Sequence, residues 1–302
     1  MRKMQKEIRR ELLILAFPLM VSNILQQFYQ AVDGLILARY VGANAFAASG
    51  VASALLNLLS FAIVGLCGGL SVLFARYYGA GDLRSFRRQH FHSLVCGLFL
   101  TGLLCLGTIL FQGPLLLLLK TPEELREGTR LYLLLVGGAL PASFLYNFYG
   151  TILRSAGKTR ECLYILIASL IANAVLDYLL VVVFTLGIAG AALATALCQM
   201  LSALFAMASV WRKDRKLFFT RQESGLDGRI LSQTLSFGLI GGLHQASLYI
   251  GKLFVQGAIN SLGTDAILAF TAASRLEGFA NSIGDSGATA TSIVVAQAYG
   301  AG

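Results

Sequence analysis

The chain has 302 residues, of which 56% are hydrophobic and only 13% charged, and its mean hydropathy is +0.71. A soluble domain carries about 25% charged residues, so the composition excludes an ordinary water-soluble protein, whereas a bilayer accepts an apolar exterior. The net charge of +9 sits in short clusters between long apolar runs, which argues against a nucleic-acid partner.

The basic N-terminus, MRKMQKEIRR, precedes an apolar run over 12–38. The apolar core of a cleaved signal peptide spans roughly 7–15 residues, so this longer run reads as a span that stays. A crossing takes about 20 apolar residues. Further runs cover 45–76, 91–118, 131–153, 162–186, 188–210, 232–260 and 266–298, which predicts eight spans in an all-α polytopic bundle. The second and eighth are long for one crossing, and Gly65, Gly68 and Gly69 mark a flexible point in the second. Pro18 and Pro141 predict kinks in the first and fourth, because proline lacks the amide that the helix ladder needs.

Of the 24 Lys and Arg residues, 18 fall in the N-terminal segment and the second, fourth and sixth inter-span loops. Only Arg39, Lys120, Arg126 and Arg130 fall on the opposite side, and Lys252 and Arg275 lie within spans. Positive charge is retained on the cytoplasmic side, so both termini are expected inside. The basic loops should touch anionic lipid.

The second run ends Ala75-Arg76-Tyr77-Tyr78-Gly79-Ala80-Gly81 and the eighth ends Ala296-Gln297-Ala298-Tyr299-Gly300-Ala301-Gly302, at an offset of 221. Gly42 and Ala45 meet Gly263 and Ala266 at the same offset, and Phe17 meets Phe237 with one gap. Spans seven and eight therefore read as a second copy of spans one and two. An even number of spans separates the copies, so they run in the same direction, a transporter pattern. The expected organisation is a six-span N-terminal unit over 1–221 and the incomplete start of a second over 222–302.

Acids in lipid are expensive and are functional candidates. The first six spans hold two deep ones, Asp33 and Asp177. From the nearest outer-end glycines, Gly42 and Gly187, a rise of 1.5 Å per residue puts both roughly 13–15 Å below the outer face. Asn173 lies one turn before Asp177, Tyr29 one turn before Asp33, and Thr195 at a similar depth in the sixth span. Two carboxylates, an amide oxygen and a hydroxyl form a hard-oxygen set suited to Na⁺ or to a shared proton. In the second unit, Lys252 or Arg275 could neutralise Glu277 as a structural ion pair, while the intramembrane His244 reads as a packing residue and Asp285 has no assigned role. The five cysteines, Cys67, Cys96, Cys105, Cys162 and Cys198, lie inside apolar runs without a CxxC pair, which indicates neither a disulfide framework nor a zinc site. No HExxH, GxSxG, P-loop or complete GxGxxG is present, so no enzyme is indicated, and an ion gradient would have to supply the energy.

The chain resembles the multidrug and toxic compound extrusion (MATE) family. The resemblance rests on Phe17-Pro18, the Tyr29-to-Asp33 segment with Gly34, Arg39-Tyr40-Val41-Gly42, and Tyr78 to Asp82. It continues in Leu153 to Thr159, Asn173 with Asp177, Gly190 to Thr195, and Ala296 to Gly302. It covers the whole chain but about two thirds of a usual member. The family implies twelve spans in two six-span lobes and export of organic cations and other toxic compounds against H⁺ or Na⁺. In similar members the first-lobe cation site matches Asp33, Asn173, Asp177 and Thr195, with a tyrosine at Tyr29. A further family Asn falls at Gly150, and Asn147, one turn away, is its substitute here. A monomeric transporter of the cytoplasmic membrane, with small cationic substrates and no cofactor beyond the coupling ion, is the expectation. The runners-up are a lipid-linked oligosaccharide flippase of the same superfamily and a truncated, non-transporting remnant.

Overall fold

The computed structural model describes residues 2–301 and is helical almost throughout, with no strand among the described residues. The side chains of residues 2–11, Leu248, Phe279 and Ile283 lie outside the description, and so do the basic side chains of the N-terminal segment and Gly302 of the second repeat motif. Nine α-helices follow one another among the described residues: α1 Arg2–Tyr40, α2 Ala43–Gly79, α3 Leu83–Leu118, α4 Glu123–Gly138, α5 Leu140–Ser155, α6 Thr159–Asp177, α7 Gly187–Lys213, α8 Gly228–Asn260 and α9 Thr264–Ala301.

Five stretches are apolar and long enough to cross a membrane: 12–40, 43–79, 83–118, 159–183 and 187–213. The pair α4–α5 adds a sixth, bent by 45° between them. The bend falls where Pro141 enters at the start of α5, because proline fits the first turn of a new helix but not the interior of an old one. In α1, by contrast, the helix runs on through Pro18, and the Ser22 hydroxyl donates to the Pro18 carbonyl at 2.8 Å. Helices α8 and α9 are long enough to span, but their polar residues dilute them below the other six. Composition therefore selects six of the eight expected spans among the described residues, and α8 and α9 pack against α2.

That packing is centred on α2, whose most extensive contacts are with α8 and α9. Helix α2 continues unbroken through Gly65, Gly68 and Gly69, the expected flexible point. A Cβ on Gly65 would fall on the Gly241 carbonyl oxygen of α8, one on Gly241 would fall on the Gly65 carbonyl oxygen, and one on Gly69 would fall on the Phe237 carbonyl. These glycines therefore bring two backbones together, the small-residue packing that membrane helices use in place of hydrophobic burial. Gly42 and Gly263, matched by the sequence offset, close equivalent turns at φ +118° and +96°, values that a side chain would strain.

The segments matched by the 221-residue offset also touch one another. A Cβ on Gly79 would fall on the Gln297 carbonyl, and one on Gly300 on the Arg76 carbonyl. Each contact is the other shifted by the 221-residue offset. Gly50, whose Cβ would fall on Thr271, faces its own counterpart at that offset.

At the opposite end of α2 from its Gly42 turn, the segment between α7 and α8 is clasped to the start of α3. Arg87 pairs with Glu223 at 2.6 Å and Arg88 with Asp227 at 2.9 Å. His90 Nδ1 lies 3.0 Å from the Leu217 carbonyl, and the Asp227 amide donates to His92 Nε2 at 2.8 Å. Lys158 pairs with Asp214 at the end of α7. Arg87, Arg88 and Lys158 thus hold this connection.

Candidate cation site

Asp33 and Asp177 are 6% and 1% exposed. Asp177 is the last residue of α6, where the helix widens into a π-helical turn over Tyr178–Val183. Such turns occur frequently at functional sites, because they re-aim side chains within a continuing helix. The N-terminal end of α7 packs onto the wide turn. A Cβ on Gly190 would stand 2.8 Å from the Leu180 carbonyl oxygen, so only glycine permits this approach. Five residues on, α7 delivers Thr195 to the site.

The Tyr29 hydroxyl lies 3.3 Å from Thr195 Oγ1, tying α1 to α7. Tyr29 also interacts electrostatically with Asp33 and Asp177, and the two acids interact with each other. Asn173 is 2% exposed, one turn before Asp177, with the Cys198 thiol beside it. The structure therefore brings Tyr29, Asp33, Asn173, Asp177 and Thr195 into one group, in which the two acids and Asn173 are buried and Tyr29 and Thr195 half-buried. Asn147 does not join it. Its Nδ2 donates at 2.9 Å to the Ser143 carbonyl of its own helix, beyond the bend. Gly150 lies one turn further on, against the Arg154 side chain.

Helix α4 supplies a member that sequence reasoning missed. Tyr132, 5% exposed, stands beside Thr195 and interacts electrostatically with Asp33 and Asp177. Nothing in the run around it distinguishes Tyr132 from an ordinary core aromatic. In the second unit, Lys252 pairs with Glu277 at 2.8 Å, and Asn281 donates to the same carboxylate oxygen at 3.3 Å. Arg275 takes no part in that pair. It crosses to α1, where it donates to the Gln30 carbonyl.

The polar atoms of the group are largely unpaired. Asp33 Oδ1, both Asp177 carboxylate oxygens and both terminal atoms of Asn173 are buried without a hydrogen-bond partner among the described residues. Buried polar groups are almost always paired, since leaving them bare is costly. Several bare oxygens converging from α1 and α6 fit a hard cation, or protons that neutralise the acids.

A bundle of long apolar helices around a buried acid pair defines a multi-pass α-helical membrane protein. Within that class the chain belongs to the MatE family, whose model matches residues 18–179. It is 29% identical to the probable multidrug resistance protein YpnP of Bacillus subtilis (strain 168) over 99% of this chain and 66% of that protein. It is 28% identical to the probable multidrug resistance protein YoeA of the same organism, again over 99% of this chain and 66% of the relative. The chain thus spans about two thirds of the length of these relatives. Its fold is similar to the outward-facing conformation of a multidrug resistance MATE family transporter of the MOP superfamily, with TM-score 0.85 and 24% identity over 97% of this chain and 66% of that one. A similar fold occurs in a MOP superfamily transporter from Pyrococcus furiosus described by the reverse polarity of its binding pocket, with TM-score 0.79 and 24% identity over 97% of this chain and 65% of that one.

Proposed function

We propose that this chain belongs to a cation-coupled antiporter that exports small, cationic organic compounds across the cytoplasmic membrane against entry of H⁺ or Na⁺. The unpaired oxygens of Asp33, Asp177 and Asn173, buried together, carry this reading. A cation or proton entering there relieves their desolvation and draws α1, α6 and α7 together, so occupancy is coupled to helix packing. The multidrug resistance names of the relatives support export of organic compounds. The reading assigns 1–221 to a six-span unit and 222–302 to the start of a second, supported by the 221-residue offset and the reciprocal contacts at Gly79 and Gly300. The excess of Lys and Arg in alternate loops supports a cytoplasmic N-terminus.

The test is efflux from proteoliposomes containing this chain under an imposed H⁺ or Na⁺ gradient, with organic cations as cargo. Asp33→Asn and Asp177→Asn are each expected to abolish gradient-driven efflux. Efflux by Asp33→Asn equal to wild type removes the coupling role. Absence of any wild-type efflux favours a remnant that does not transport alone. A lipid-linked oligosaccharide flippase would favour a cationic cavity, and the acidic pair weighs against that alternative.

A further inference from the structure

The group around Asp33 has a cationic neighbour from the far end of the chain. Arg275 stands on α9, 242 residues after Asp33, and its guanidinium reaches α1 one turn from that acid. It donates to the Gln30 carbonyl, and its Cζ lies 5.3 Å from the centroid of the Phe46 ring. A Cβ on Gly34 would stand 2.8 Å from Cζ, so the absence of a side chain at Gly34 makes room for the guanidinium. Arg275 Nε is buried without a partner. Asp33 and Tyr132 both interact electrostatically with this arginine. Glu277, the acid nearest in sequence, is already neutralised by Lys252 at 2.8 Å. A fixed positive charge thus lies beside Asp33, whose Oδ1 lacks a partner and which itself interacts with Asp177.

We propose that Arg275 is a tethered counter-cation for the Asp33–Asp177 pair, which the coupling cation displaces. This rests on the cation-site reading above. Two positive charges in one poorly solvated site repel, so a cation can settle on the acids only as the guanidinium withdraws. Arg275 belongs to α9, and its withdrawal loosens α9 from α1. Cation binding is thereby linked to the α1–α9 contact, and linkage runs both ways: parting the helices raises cation affinity. Arg275 positions and competes; it is not itself a ligand of the cation.

The test measures Na⁺ affinity and proton uptake of the purified chain in lipid nanodiscs by calorimetry. Four variants are compared with wild type: Arg275→Gln, Arg275→Lys, Gly34→Ala and the double variant Gly34→Ala/Arg275→Gln. Removing a charge at this range should tighten cation binding by about tenfold in Arg275→Gln, while Arg275→Lys, which keeps the charge, stays near wild type. Gly34→Ala, which pushes the guanidinium aside, should tighten binding in the wild-type background and have no further effect on Arg275→Gln. Affinity unchanged in Arg275→Gln, or a Gly34→Ala effect that persists without the arginine, overturns the proposal. Asp33→Asn/Asp177→Asn serves as the reference. If wild type binds cations no better than this reference, the cation-site reading itself fails, an outcome distinct from unchanged affinity in Arg275→Gln. Should Arg275→Gln elute as aggregate, Gly34→Ala alone decides, since there the arginine is displaced and retained.

Discussion

Asp33 and Asp177 were legible in the sequence because a carboxylate in an apolar run has no cheap structural reason to be there. Asn173 and Thr195 followed by helical spacing and depth. Tyr132 did not, because an aromatic in an apolar helix is ordinary, and only the fold of α4 against α7 puts its hydroxyl at Thr195. Arg275 escaped for a related reason. Sequence proximity offered Glu277 as its partner, but Lys252 holds that acid and the long guanidinium arm crosses to α1. Tyr132→Phe removes the hydroxyl beside Thr195 and leaves the polar group with one fewer partner of that kind, a loss of about 1 kcal/mol. Na⁺ affinity measured by calorimetry is therefore expected to fall about fivefold. Asn147→Ala, which removes only a bond to its own helix, should leave that affinity unchanged.

The order of the helices could be read from apolar run length, and the bend that splits the fourth run into α4 and α5 from Pro141, yet the boundaries shifted. Helix α3 starts at Leu83, eight residues before the apolar run, because Asp82 caps it by accepting from the Ser85 amide at 3.0 Å. The π-helical turn after Asp177 had no sequence signal at all. The glycines of α2 were visible, but their meaning was not, since a contact between backbones depends on the partner helix. Gly65→Ala forces a methyl group onto the Gly241 carbonyl, and overpacking of this kind costs about 1–3 kcal/mol. Gly68→Ala meets nothing within 4 Å and gains helix propensity. Thermal unfolding in detergent should therefore separate the neighbours, with Gly65→Ala melting lower than wild type and Gly68→Ala at or above it.

The clasp between α7 and α8 is expected to depend on pH. Burial works against ionisation of Glu223, but hydrogen bonds from Thr220 and Arg87 outweigh it and hold the carboxyl below its ordinary value. Its folded pKa is depressed, so its contribution is complete above the unfolded value of about 4.3 and is lost as pH falls through the folded value. Trp211, the single tryptophan, lies near the end of α7, just before this segment. Its emission is expected to be flat from neutral pH down to the carboxylate range and to change below it. Glu223→Gln should show the low-pH emission already at neutral pH; a Glu223→Gln titration that overlays wild type would exclude the clasp as its origin.

The orientation proposed from the charge bias can be tested by labelling. A cysteine at Ser224, in the clasped segment, is expected to react with an impermeant maleimide only from the cytoplasmic side. A cysteine at Ala43, beside the Gly42 turn, should react only from outside. Among the native thiols, Cys67, Cys96, Cys162 and Cys198 are buried, which keeps their background low.

The contacts at Gly79 and Gly300 have the form of an isologous interface, in which residue i meets j and the counterpart of j meets that of i. A homodimer has this geometry when it closes on itself. Within the repeat reading, the chain holds in one covalent thread a self-complementary contact of the kind that two separate copies would need in order to recognise each other. A covalent link makes such an association independent of concentration. Thr271 stands opposite Gly50, and Gln297 takes the place of Arg76, so the two sides of this seam are not identical.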